Sequence, residues 1–168
     1  MESASPGSKS SGIARLGSGL RPLLGLCILM GVPLACGDDS PAGPELSADV
    51  EEFVSLLNSH RASMGCPPLE WDGPVAEVAE AHSRDMVARG FFSHTNPDGD
   101  SPWDRLSDAG ISYTLAAENI ASGYPSAQAV MNGWLGSPGH RANMENCALT
   151  HHGVGLVEWH WTHVFVTP

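Results

Sequence analysis

The amino-acid sequence predicts an α+β fold, on two observations. Stretches with apolar residues at helical spacing, opened by capping residues, occupy the first part of the folded region. The C-terminal run "HHGVGLVEWHWTHVFV" then supplies glycines, β-branched residues and aromatics in two runs, the pattern of an antiparallel hairpin. Helices followed by such a hairpin give an α+β sandwich rather than a parallel sheet. The folded part, residues 47–168, is long enough for one domain with its own core. No internal repeat is visible.

The first helix is expected to start at Ser47 as N-cap, with Asp49, Glu51 and Glu52 in the electropositive first turn. Val50, Phe53, Val54, Leu57, Arg61 and Met64 recur at helical spacing, and Gly65-Cys66-Pro67-Pro68 stops the run. A second helix follows "LEWDGP", capped by Asp72 and ended by Gly90. Its inward stripe of Val75, Val78, Ala79, His82 and Met86 places an imidazole among apolar residues. His82 is there either a hydrogen-bonded core residue or a support for ligands nearby.

In "FFSHTNPDGDSPWDRL", Ser101, Pro102 and Asp104 form N-cap, N1 proline and N3 acid of a short helix ending near Gly110. His94 lies on the loop before it, where functional groups are often held by a rigid scaffold. "YTLAAENIASG" is apolar enough for a short strand or a buried loop carrying Glu118, and a buried carboxylate needs a partner. A fourth helix is expected from about Ser126 to Leu135, with Ala127, Val130, Met131 and Trp134 inward, broken at "GSPG". Two strands follow, joined by a turn near Glu158 to His160.

Residues 1–35 look like an address. Lys9, Arg15 and Arg21 precede an apolar run, Leu23 to Val32, and then "PLACG". That run is about ten residues, whereas a bilayer-spanning helix needs roughly twenty, so a removable secretory signal is expected. Ala35-Cys36 resembles the lipobox of bacterial lipoproteins, with Pro33 where an aliphatic residue is usual. Cys36 is then lipidated and becomes the mature N-terminus, or it is incidental to an ordinary signal cut nearby. Residues 36–46, rich in Gly, Pro, Ser and acid, are a flexible tether. The expected location is the cell envelope, as a lipoprotein, or secretion, with membrane contact only through Cys36.

The formal net charge is −11, and nearly all acidic residues lie beyond Cys36 while three of the basic ones lie before it. Such a domain is repelled by phosphate backbones, which excludes nucleic acid as a partner class. Of the four cysteines, Cys66 and Cys147 remain as an even pair once Cys27 and Cys36 are assigned to the signal and the anchor. A disulfide is the natural reading in an exported chain, with a reactive thiol as the alternative.

Eight histidines are many for this length. His94, Glu118 and His140 come from three separate segments, as the ligands of a metal site or the members of a catalytic cluster commonly do. Two imidazoles and a carboxylate suit Zn²⁺, with water in a further position. No HExxH-like pair fixes two ligands on one helix, so spacing alone does not select metal.

"AHSRDM", "FFSHTNPDG", "ENIASG", "WLGSPGHRANM", "GVGL" and "WTHVF" together resemble, in order, the CAP superfamily, or SCP domain. Its members include cysteine-rich secretory proteins, antigen 5 and plant pathogenesis-related 1 proteins. The resemblance spans Val50 to Val166. It implies a three-layer α-β-α sandwich with a central antiparallel sheet and an open cavity lined by two histidines and acidic partners. Matched motif by motif, His94 and His140 take the histidine positions and Glu118 one glutamate position. A second glutamate found in many eukaryotic members falls at Ser137 here, and His163 adds an imidazole on the final strand. The resemblance implies links to lipid, metal or cell-surface binding, with enzymatic activity unsettled in the family, and a small acidic domain tethered outside the membrane suits a non-enzymatic extracellular binding module. The alternatives are a hydrolase using His94, Glu118 and His140, with Ser93 or Ser137 as hydroxyl, and a structural envelope protein with a vestigial cavity.

Overall fold

The computed structural model describes residues 2–4 and 47–168; the signal and tether, with Cys36, lie outside the described residues except for 2–4. In chain order the elements are β1 (Glu2–Ala4), α1 (Ala48–Ser63), β2 (Glu70–Trp71), α2 (Gly73–Arg89), α3 (Pro102–Asp108), β3 (Leu115–Ser122), α4 (Ala127–Leu135), α5 (Pro138–Met144), β4 (His151–Val157) and β5 (His160–Thr167).

The helix starts follow the capping chemistry. The Ser47, Asp72, Ser101 and Ser126 side chains each accept a backbone N–H of the helix that follows. Ser101 and Asp104 complete a reciprocal capping box. Gly90 closes α2 with φ +67°, a left-handed conformation that favours glycine. Met64 departs from the expected inward stripe: as C-cap of α1 it is 54% exposed.

The strands form one sheet in the order β1-β3-β5-β4-β2. β3–β5 and β4–β5 are antiparallel, but β2 pairs parallel with β4, so the expected all-antiparallel sheet is mixed at one edge. β4 and β5 are joined at Glu158 and Trp159, both at positive φ (44° and 61°), as a tight two-residue hairpin requires.

Strand alternation divides the core into two layers. Ala117, Ala121, Val154, Trp161 and Phe165 pack with Phe53 and Leu57 of α1 and Val130 and Trp134 of α4. Ala116, Val164 and Val166 pack with Val75 and Ala79 of α2 and Leu106 of α3. The result is the three-layer α-β-α sandwich.

α2 lies very close to β4, because Gly153 and Gly155 face it. A Cβ at Gly155 would stand 2.2 Å from the Glu80 backbone nitrogen. Gly155→Ala is expected to cost about 1–3 kcal/mol by overpacking, read as a lower urea midpoint, whereas Gly136→Ala, whose Cβ would make ordinary contacts, is expected to leave the midpoint nearly unchanged.

Cys66 and Cys147 are joined in a disulfide across 81 residues. Its loop-closure effect is about 4 kcal/mol in the chain-entropy model. The bridge ties the end of α1 to the segment after α5. The same junction holds Arg61, fully buried, which donates to the carbonyl oxygens of Pro67, Met144, Asn146 and Leu149. Burial holds its guanidinium below its ordinary pKa.

Candidate functional site

Glu118 sits at the middle of β3, fully buried, with its side chain toward the α2–α3 layer. A carboxylate in that position must be compensated, and two groups do so. His94 Nδ1 lies 2.7 Å from Oε1, and Arg105 Nη2 donates to Oε2 at 2.8 Å. Because a carboxylate only accepts, His94 donates through Nδ1. His94 Nε2 and Arg105 Nε are buried and have no hydrogen-bond partner among the described residues.

Arg105 is placed by α3 and does more than balance charge. Its Nη1 donates to the carbonyls of His94 and Asp100, so one guanidinium ties the His94 loop to Glu118. The motif "SPWDRL" signals the helix start in sequence; Arg105 is its fourth helical residue and points back over that loop. The functional part of this arginine was not legible, since its partners are 5 to 13 residues away in the chain.

His82, on the inward face of α2, supports the same loop. Its Nε2 donates to the Ser93 carbonyl at 3.0 Å, next to His94, and its Nδ1 is a buried acceptor with no partner among the described residues. Burial pushes its pKa below the ordinary value, outweighing the upward pull of nearby Glu118, so the ring is neutral. Ser93 Oγ accepts the Thr95 N–H and so shapes the loop.

His140 stands apart from this cluster. The expected turn "SPG" is instead the start of α5, with Ser137 as N-cap and Pro138 in the first turn. Ser137 caps no backbone N–H; its Oγ lies 2.7 Å from His140 Nδ1. His140 is buried, stacked near Trp134 with ring centres 6.4 Å apart, and its carbonyl accepts from Asn119 Nδ2. Asn119 neighbours Glu118 in an extended strand, so the two side chains leave β3 on opposite faces. Asn143 of α5 donates to Asn119 Oδ1 at 2.8 Å.

His163, expected near the cavity, lies instead in the α1–α4 layer, fully buried against Phe53, Trp134 and Phe165, with its Nε2 3.0 Å from His152 Nδ1. Among the described residues, no three His, Cys, Asp or Glu side chains come together to hold a metal ion. The proposed Zn²⁺ set of His94, Glu118 and His140 is not assembled: both Glu118 oxygens are engaged, one by the chain's own cation, and His140 is bound to Ser137.

The arrangement can be set beside known proteins. Residues 54–166 match the model of the cysteine-rich secretory protein family, known as CAP. The chain belongs to the CAP family. The CAP domain is 39% identical over 127 residues to the uncharacterized protein YkwD of Bacillus subtilis, covering 74% of this chain and 49% of YkwD. It is 40% identical over 116 residues to the uncharacterized membrane protein YlbC of the same organism, covering 69% of this chain and 34% of YlbC. The chain thus spans half or less of these relatives. Among solved structures, an extracellular SCP-domain protein of Bacillus anthracis superposes with a TM-score of 0.68 at 36% identity, covering 70% of this chain and 40% of that one. An outer surface protein of Borrelia burgdorferi shares the CAP fold, with a TM-score of 0.68 at 23% identity, covering 73% of this chain and 95% of that one.

Proposed function

We propose that this CAP protein is exported and acts outside the cell as a non-enzymatic binding module, recognising its ligand at the edge of the sheet around His94, Glu118 and Arg105. The observation that carries the reading is the state of Glu118: both its oxygens are taken by groups of the same chain. A carboxylate closed off in this way stabilises a recognition surface and is poorly placed to ligate metal or accept a substrate proton. What the cluster holds in place is the His94 loop, fixed by Arg105 and His82. Export is supported by the extracellular relative from Bacillus anthracis and by the disulfide.

One contact favours a second reading, a hydrolase. Ser137 Oγ against His140 Nδ1 pairs a hydroxyl with a base, as a serine nucleophile requires. Two measurements on the exported protein separate the readings. A fluorophosphonate probe is expected to leave Ser137 unlabelled, and calorimetric Zn²⁺ titration at pH 7.5 is expected to show no binding lost in a His94→Ala, His140→Ala variant. Labelling of Ser137 that disappears in His140→Ala would establish the hydrolase, and binding lost in the double variant would restore the metal site.

A further inference from the structure

The outer edge of β3 is the feature that the cluster above does not use. β3 pairs with β5 along its whole length, Leu115–Thr167 to Ser122–His160. Its other edge carries β1, whose three residues pair antiparallel with the centre of the strand: Glu2 opposite Ile120, Ser3 opposite Asn119 and Ala4 opposite Glu118. The residues that β1 covers include the two whose side chains reach into both halves of the site.

These three residues belong to the segment read as the removable signal. Once that segment is cut away, β3 becomes an edge strand whose outward N–H groups at Glu118 and Ile120 lose their ladder partners, while the carbonyls of the same two residues still accept from Asn143 and Trp134. Natural edge strands are protected against pairing by proline, lysine, bulges or unpaired inward charge. "LAAENIAS" has no proline, no lysine and no glycine, its side chains are buried from Ala116 to Ala121, and its one charge is neutralised by Arg105. The edge is therefore a straight, undefended template, and the structure itself shows that it accepts an antiparallel strand.

We propose that in the exported protein this edge binds an extended segment of a partner polypeptide by strand addition, in the register that Glu2–Ala4 occupy in the precursor. The inference rests on the binding-module reading and specifies its ligand class. Main-chain hydrogen bonds to Glu118 and Ile120 supply the affinity, and side chains at alternate positions supply the selectivity. Residues directly opposite in an antiparallel pair share a face. The partner residue opposite Glu118 thus projects toward the His94–Arg105 side, and the one opposite Asn119 toward the His140–Asn143 side. Asn143 Nδ2, 3.4 Å from the Glu118 carbonyl, puts a polar amide of α5 beside the same edge.

The test uses the protein as exported and purified from its host, with its N-terminus first fixed by intact mass. The probe is a synthetic peptide of residues 1–8, "MESASPGS", beside a version carrying Ala4→Pro, which lacks the ladder N–H opposite Glu118. Amide hydrogen exchange of Glu118 and Ile120, whose N–H groups face away from β5, is expected to slow by at least about ten-fold at saturating peptide, and not with the proline version. No slowing, or equal slowing by both peptides, would overturn strand addition. Slowing that follows protein concentration without peptide, with dimers in light scattering, would give the edge to a second copy and overturn the partner-peptide claim. An N-terminus that retains residues 2–4 would overturn it at its premise. Cleavage of the bound peptide would leave strand addition standing and sink the non-enzymatic reading instead.

Discussion

Arg105→Met is expected to lower the stability of the domain by about 3–5 kcal/mol, the range for removing one partner of a buried ion pair. Glu118 is fully buried and the Arg105 side chain is 12% exposed, so the abandoned carboxylate has no easy route to water. Methionine keeps the length of the apolar stem, which confines the loss to the charge and its hydrogen bonds. Three bonds go together: one to Glu118 Oε2 and two to the carbonyls of His94 and Asp100. The loop carrying His94 is then held mainly by His82 and by the His94–Glu118 contact. Urea unfolding checks the magnitude. Adding Glu118→Gln to Arg105→Met removes the buried charge and is expected to recover part of the loss, giving a favourable coupling in the double-mutant cycle. Additive losses would mean that the two side chains do not act as a pair.

What the sequence disclosed follows the range of the interactions. Caps are local: Ser47, Asp72, Ser101 and Ser126 each act on a backbone N–H three residues away, so the starts of α1 to α4 were readable without tertiary knowledge. α5 was missed because "GSPG" carries turn residues, and only the packing of Met144 and His140 shows that Pro138 opens a helix rather than closing a turn. The parallel β2–β4 pairing was hidden because Glu70 and Trp71 form too short a strand to show any period.

The candidate site divides in the same way. Motif resemblance found His94 and Glu118, and the structure joins them. It grouped His140 with them because three motifs along a chain carry no information on which face of a strand each side chain leaves. The Glu118/Asn119 alternation puts Asn119, and the His140 carbonyl it donates to, on the face away from the Glu118 side chain. Arg105 gave no signal of its own. An arginine within a helical apolar stripe, as Arg61 is, was the one available hint that a buried cation had to be satisfied by backbone carbonyls.

The His152–His163 pair gives the second large effect, as a loss of stability in acid. The two rings share one hydrogen bond of 3.0 Å inside the α1–α4 layer, and each keeps one buried nitrogen without a partner among the described residues. Around them stand Phe53, Trp71, Trp134 and Phe165, with Arg61 as the nearby cation from α1 and His151 beside His152 on β4. Burial is the largest cause that pushes His152 down to about 4, followed by the repulsion of Arg61, and burial likewise holds His163 well below the ordinary range. Both pKa values are lower in the folded chain than in the unfolded one, so the unfolded chain binds more protons as the pH drops. The stabilisation is complete above the unfolded value, about 6.5, and is lost as the pH falls toward 4. For His152 alone the shift from 6.5 to about 4 corresponds to roughly 3 kcal/mol. A His152→Leu, His163→Leu variant has no such protons to take up, and leucine suits the apolar surroundings. Urea midpoints measured from pH 7.5 to pH 4 are expected to fall more steeply for the native sequence than for this variant. Since carboxylates titrate in both proteins, the difference between the two slopes isolates the pair, and parallel slopes would show that the buried imidazoles do not govern acid stability.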